Sequence, residues 1–225
     1  MGRAREVFGG DMIASRRVLK SGMWLAWATF ALYIVYIATL LAGGVAIGVP
    51  REPYLAGAEV LTIVGAVLQV ALFAAIHIST PSHLRLFSLL ALAWMIAMAA
   101  VTIPVHFIQL TVERHLDLAT MPQLRYVFGW EWPSLLYAAE LTAWHLLFGL
   151  SVAFAAPVFQ GAGRLAVVRA GLYVTGALCL LGLVGPAVGN LNWRFVGVFG
   201  YGVLFPITCL LLGFVFRNSL SSSRD

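Results

Sequence analysis

Six long apolar runs leave this chain one kind of fold. They extend from about Met23 to Val49, Leu55 to Ile78, Leu86 to Val112, Leu135 to Phe159, Leu165 to Val188 and Phe195 to Phe216. Each exceeds the roughly 20 residues that a helix needs to cross a hydrocarbon layer about 30 Å thick. The 225 residues are 61% hydrophobic and only 10% charged, too greasy for a water-soluble globule of this size. Disordered, fibrous, nucleic-acid-binding and disulfide-stapled classes are excluded on the same ground. The expected fold is all-α, a six-helix transmembrane bundle with a short amphipathic external segment. Residues 1–22 form a basic cytoplasmic leader, 23–217 the transmembrane domain and 218–225 a frayed polar tail on the cytoplasmic side.

The first run is too long for a secretory signal, whose apolar region spans about 7–15 residues, and is read as a retained helix. Met1-Gly2 carries no myristoylation signal, because the sixth position is Glu6. Pro50 to Pro53 ends the first run, and Ser79 to Ser82 separates the second from the third, with Thr80 expected as an N-cap and Pro81 at the first helical position. Lys and Arg divide ten to four between the two sides, so both termini are expected in the cytoplasm. The stretch from Glu113 to Pro133, with Tyr126, Phe128, Trp130 and Trp132, then lies outside along the interface, or covers a pocket as a lid. No internal repeat is evident. Cys179 and Cys209 sit in apolar runs and read as buried free thiols.

An ionisable side chain inside a span costs about 2.5–3.5 kcal/mol or more, so each is a functional candidate. At about 100° per residue, Glu59, Thr62, Gln69 and His77 fall within an arc of about 80°, and Thr102, His106 and Gln109 within about 60°. Tyr137, Glu140, Trp144 and Ser151 cluster on the fourth helix, whereas His145 is about 140° from Glu140 and is expected to face a different neighbour. Glu59, His106 and Glu140 come to similar depth near the external side. They define an outward-opening acid and histidine pocket between helices two, three, four and six. Tyr137, Trp144, Gln109, Tyr201 and Asn190 are the expected ligand-binding residues, with Asn192, Arg194, Trp130 and Trp132 near the mouth. The competing role for these polar groups is interhelical glue, worth about 0.6–2 kcal/mol each, and His77 suits an interfacial role.

Pro104, Pro157, Pro186 and Pro206 interrupt the later helices and free the carbonyls of Ala100, Ala153, Gly182 and Gly202. Small-residue pairs such as Gly44/Gly48 and Gly185/Gly189 permit close packing within the bundle or across a homodimer face. No metal ligand set has the needed spacing. Haem is disfavoured, because His106 and His145 differ in depth by roughly 9 Å. Nucleophile elbow, phosphate loop and Cys-x-x-Cys are absent, so no cofactor is expected.

What remains is acid and base work by Glu140, Glu59 and His106 as catalytic residues. Burial disfavours an ionised carboxylate, so an acid in a dry pocket can keep a proton for an apolar substrate. Aromatic faces such as Tyr137, Trp144, Tyr201 and Phe205 stabilise a developing carbocation. A cofactor-independent cyclase or isomerase acting on an isoprenoid or other lipid would use these parts, and is similar in logic to small membrane-bound terpene cyclases, which use paired acids. The alternative is a non-catalytic ligand-binding or transport-accessory protein, in which the carboxylates receive a cation or proton. Either way the partners are membrane lipid and an apolar or amphipathic small molecule, and not nucleic acid. The run Phe148-Gly149-Leu150-Ser151-Val152-Ala153-Phe154-Ala155-Ala156-Pro157-Val158-Phe159 resembles uncharacterised bacterial multi-pass membrane proteins of the domain-of-unknown-function kind, with a fainter likeness through helices five and six. The resemblance implies a bacterial cytoplasmic membrane and carries over no site residue.

Overall fold

A computed structural model describes residues 16–45 and 51–222. Six helices are long and apolar enough to span a membrane: α1 (Arg16–Ala42), α2 (Tyr54–Ser79), α3 (Ser82–His115), α4 (Leu135–Val158), α5 (Arg164–Val188) and α6 (Leu191–Ser221). The chain is 86% helical, and there is no strand among the described residues. It is a multi-pass membrane protein of the all-α class. Each helix packs on its neighbours in sequence, and α1 closes the ring against α6. Both ends of the described chain therefore lie at one end of the bundle, and the long α3–α4 loop lies at the other.

Helix ends follow local chemistry. α1 is helical from Arg16, the first described residue, so the basic residues Arg16, Arg17 and Lys20 are already helical ahead of the apolar run. It stops at Gly43-Gly44, where Gly44 takes φ 86°, a left-handed value that costs glycine nothing. Residues 1–15, with most of the expected leader, lie outside the described residues. So do the end of the first run at Val49, Gly48 of the Gly44/Gly48 pair, and residues 223–225 of the tail. The rest of that tail, as far as Ser222, continues α6 as a helix.

The α2–α3 turn corrects one expectation. Thr80 terminates α2, and its Oγ1 donates back to the Ile76 carbonyl at 2.7 Å, so it caps nothing ahead of it. Pro81 stands one place before the first helical residue, Ser82, with an extended ψ of 151°. The hydroxyl is better satisfied inside its own last turn than across the bend.

Polar groups join neighbouring helices. His77 Nδ1 pairs with Ser88 Oγ at 2.9 Å between α2 and α3. Ser151 Oγ donates to the Ala91 carbonyl at 2.7 Å between α4 and α3. Arg169 donates to the Phe159 carbonyl at 3.0 Å beyond the end of α4. Cys179 and Cys209 are buried and free.

α1 and α6 pack most closely in the half of the bundle that carries the termini. A Cβ added at Gly213 would lie 2.1 Å from Nε1 of Trp27, and one at Gly22 would lie 2.6 Å from Cζ of Phe216. α1 packs along Phe205–Ser222 and makes no comparable contact with the preceding part of α6. Gly213→Val should therefore push the Trp27 indole out of its seat and destabilise the bundle by about 1–3 kcal/mol. Thermal unfolding in detergent would show a lowered midpoint, restored in part by Trp27→Ala in the same chain. An unaltered midpoint for Gly213→Val would mean that this seam does not hold the ring shut.

Two helices are locally widened. α4 makes a π turn over Thr142–Leu147, and α6 another over Gly200–Leu204. The second precedes Pro206, whose ring would collide with the Gly202 carbonyl in a regular helix. The two widened turns meet: Trp144 and Tyr201 pack as a tilted pair with ring centroids 5.0 Å apart.

Candidate functional site

Glu59, His106 and Glu140 meet in one line. His106 reaches Oε2 of Glu59 through Nδ1 in a very short contact, and Oε1 of Glu140 through Nε2 at 2.6 Å. α2, α3 and α4 each supply one member. The side chains are 5% exposed for Glu59, 6% for His106 and 12% for Glu140, so neither carboxylate is solvated as it would be in water.

A neutral imidazole offers one donor and one acceptor, yet here both ring nitrogens face carboxyl oxygens. Two proton arrangements satisfy that geometry at the same total charge. In one, an imidazolium donates to two carboxylates. In the other, one glutamic acid donates to the ring, and the ring donates to the remaining carboxylate. Moving protons along the line exchanges the arrangements, so the imidazole can carry a proton from one acid to the other.

The line ends at a cavity of about 560 Å³, inside the usual range for small-molecule sites. His106 and Glu140 form part of its wall, and Glu59 does not: it stands behind the imidazole. Glu59, expected as a catalytic group, is not itself on the wall and is paired with a residue that is, His106. The second carboxyl oxygen of Glu140, Oε2, is buried and has no hydrogen-bond partner. Among the described residues no cluster of His, Cys, Asp and Glu is arranged to hold a metal ion.

Tyr137, Trp144 and Tyr201 line the cavity, as does Trp130 from the α3–α4 loop. The Trp130 ring lies 5.7 Å from His106 and 5.5 Å from Tyr137. Ser134 fastens this part of the loop, donating to the Gly129 carbonyl at 2.5 Å and accepting from the Tyr137 amide at 3.1 Å. Phe205 lies beneath, edge-on to Phe148 and Tyr33.

Two expected ligand residues are elsewhere. Asn190 is exposed, and its Oδ1 accepts from the Asn192 amide at 3.2 Å, so it caps the turn into α6 and does not reach the cavity. Gln109 is buried one turn beyond His106 but is not part of the wall.

The enclosing helices also differ from the expected set. α3 contributes only His106, and α1 supplies a whole side, including Tyr33, Tyr36 and Leu40. Gln69 is on the wall as well; its Nε2 donates to the Tyr33 hydroxyl at 3.5 Å, and its Oε1 has no partner. Tyr33 and Tyr36, three apart, share one face of α1, but in an apolar run that spacing alone does not set them apart from core residues.

His145 packs between α5 and α6, in the space left by Gly182 and Gly197, and donates from Nε2 to the Arg194 carbonyl at 3.2 Å. It faces neighbours other than the acid line, yet it also touches the cavity. The π turn accounts for this, because it adds a residue between Glu140 and the following helix and rotates His145 back toward that side.

Comparison with known proteins finds no matching family, no similar curated protein and no similar solved structure.

Proposed function

We propose that the protein lies in a bacterial cytoplasmic membrane with both termini in the cytoplasm, and that its cavity performs acid–base chemistry on an isoprenoid or other lipid-like substrate. Arg16, Arg17, Lys20, Arg85, Arg164, Arg169 and Arg217 lie toward the end with the termini, against Arg51, Arg114, Arg125 and Arg194 at the other, which supports that orientation.

One observation carries the chemistry: an imidazole bridges two carboxyl groups, and only one of them opens into an aromatic cavity. Glu140 is the group that meets substrate. As an acid, it gives its proton to one carbon of a double bond; the π electrons form the C–H bond, and the adjacent carbon becomes cationic. The faces of Tyr137, Trp144 and Tyr201 hold that charge. Loss of a proton from a neighbouring carbon then forms a double bond, either in a new position or after ring closure. The proton returns to the carboxylate, so the reaction is an isomerisation or cyclisation that consumes no oxidant, reductant or cofactor. While the line keeps its one acidic proton, His106 passes it from Glu59 to Glu140; a proton lost to another acceptor is replaced from water.

The test is isotopic. Purified protein in nanodiscs, incubated with polyprenyl substrates in deuterated water, should leave deuterium on carbon in the recovered lipid. If carbon-bound deuterium never exceeds that of protein-free nanodiscs, while the same lipids bind, the cavity is a receptor and the non-catalytic reading holds in its place.

A further inference from the structure

The cavity has a side as well as a mouth. α1 and α6 are locked together below Tyr33 and Phe205, then part, and the cavity fills the space between them. On α6 the stripe Phe195, Phe199 and Val203, at intervals of four residues, borders this space and is 41–55% exposed. Ile37 borders it from α1 and is 37% exposed. Side chains that line an internal cavity and are also open to the surroundings mark a gap in the wall. In a membrane-spanning bundle that gap faces hydrocarbon, not water.

One charge stands beside the opening. Arg194, at the first helical turn of α6, is half-buried on the cavity wall, and its guanidinium lies 5.7 Å from the Tyr137 ring and 4.8 Å from that of Phe195. Among the described residues no carboxylate lies within ion-pair distance of it, although Arg114 at the same end takes Glu52 at 2.5 Å. From Arg194 to Val203 the wall descends nine residues, about 13 Å of helix, beside a space whose wall includes Glu140 and Gln69, each with a buried oxygen that has no partner. A cation at the top, an apolar slot below and an acid on its flank match an amphiphile: an anionic head, then a chain.

We propose that the cavity takes its occupant sideways from the membrane, between α1 and α6, and that the occupant is an unsaturated lipid whose phosphate headgroup is held by Arg194 while its chain passes Glu140. This rests on the acid–base reading only for the double bond; the route and the headgroup follow from the gap and the arginine.

Gly202 gives a clean obstruction. A Cβ there meets only Val198 Cγ1, at 3.9 Å, so a larger side chain can extend into the slot without displacing the protein. Binding of farnesyl phosphate, farnesol and inorganic phosphate to the full chain in nanodiscs, measured by native mass spectrometry, tests the proposal. Farnesyl phosphate should bind roughly tenfold or more tightly than farnesol, the return from a charge-assisted hydrogen bond. Arg194→Gln should abolish that preference, Gly202→Phe should exclude both chains, and inorganic phosphate should not compete. Ile37→Trp, on the opposite lip, should also weaken both and serves if Gly202→Phe fails to fold. Equal affinity for alcohol and phosphate, a preference that survives Arg194→Gln, or competition by inorganic phosphate would overturn it. The two readings fail separately: farnesyl phosphate that binds as expected but returns without deuterium removes the chemistry alone, whereas deuterium uptake with binding indifferent to Arg194→Gln and to both lip substitutions removes the route and the headgroup.

Discussion

Glu140→Gln is expected to cut deuterium transfer to bound lipid by about 10²–10⁴-fold, the usual contribution of a positioned acid or base. The amide is nearly isosteric and can still meet the His106 ring, so the bundle should remain folded and continue to extract with lipid. What it loses is the exchangeable proton at the one carboxyl that opens into the cavity. Glu59→Gln separates positioning from catalysis. That residue is not on the cavity wall and is paired with the imidazole, so its replacement should lower the rate less and make it depend on added small acids that reload Glu140 directly. Equal losses for the two variants, with no response to added acid, would place both carboxyl groups in a single structural role and remove the assignment of Glu140 as donor.

His106→Leu should be the most destabilising single change in the site. It removes the group that both carboxyls address, leaving Glu59 and Glu140 buried with no cation or imidazole between them. Breaking a buried ion pair by deleting one partner costs roughly 3–5 kcal/mol, because the remaining charge is left without compensation. The thermal midpoint in detergent should drop accordingly, and adding Glu59→Gln and Glu140→Gln to the same chain should restore part of it, since the buried charge is then gone. If the single variant melts as the parent does, the three groups are not coupled and the line through the imidazole is not a working unit.

The span count and the convergence of the three ionisable residues were readable from sequence for one reason. Charged side chains in hydrocarbon are costly, so the few present stand out, and helical periodicity places them on common faces. Glu59, His106 and Gln69 were legible in this way. His145 was not, because counting at 100° per residue assumes a regular helix and the Thr142–Leu147 turn is π. Asn190 looked like a ligand because it is polar near the mouth, whereas its oxygen closes a local turn. The wall built by α1 was hidden for a different cause: tyrosines have an apolar body, and in a greasy run Tyr33 and Tyr36 do not separate from core residues until the gap beside α6 is seen. Thr80 shows the same local competition, since its hydroxyl had two carbonyl or amide choices and the backward one won.

The seam between α1 and α6 is sealed at one level and parted at another, and this asymmetry discriminates between the two leaflets of a bilayer. Only molecules in the monolayer beside the α3–α4 loop are level with the opening; those in the opposite monolayer meet the close contacts of Gly22 with Phe216 and of Trp27 with Gly213. On the proposed lateral route, a lipid made on that opposite face must first be flipped, and the rate at which the cavity fills would then be set partly by whatever moves lipids from one monolayer to the other.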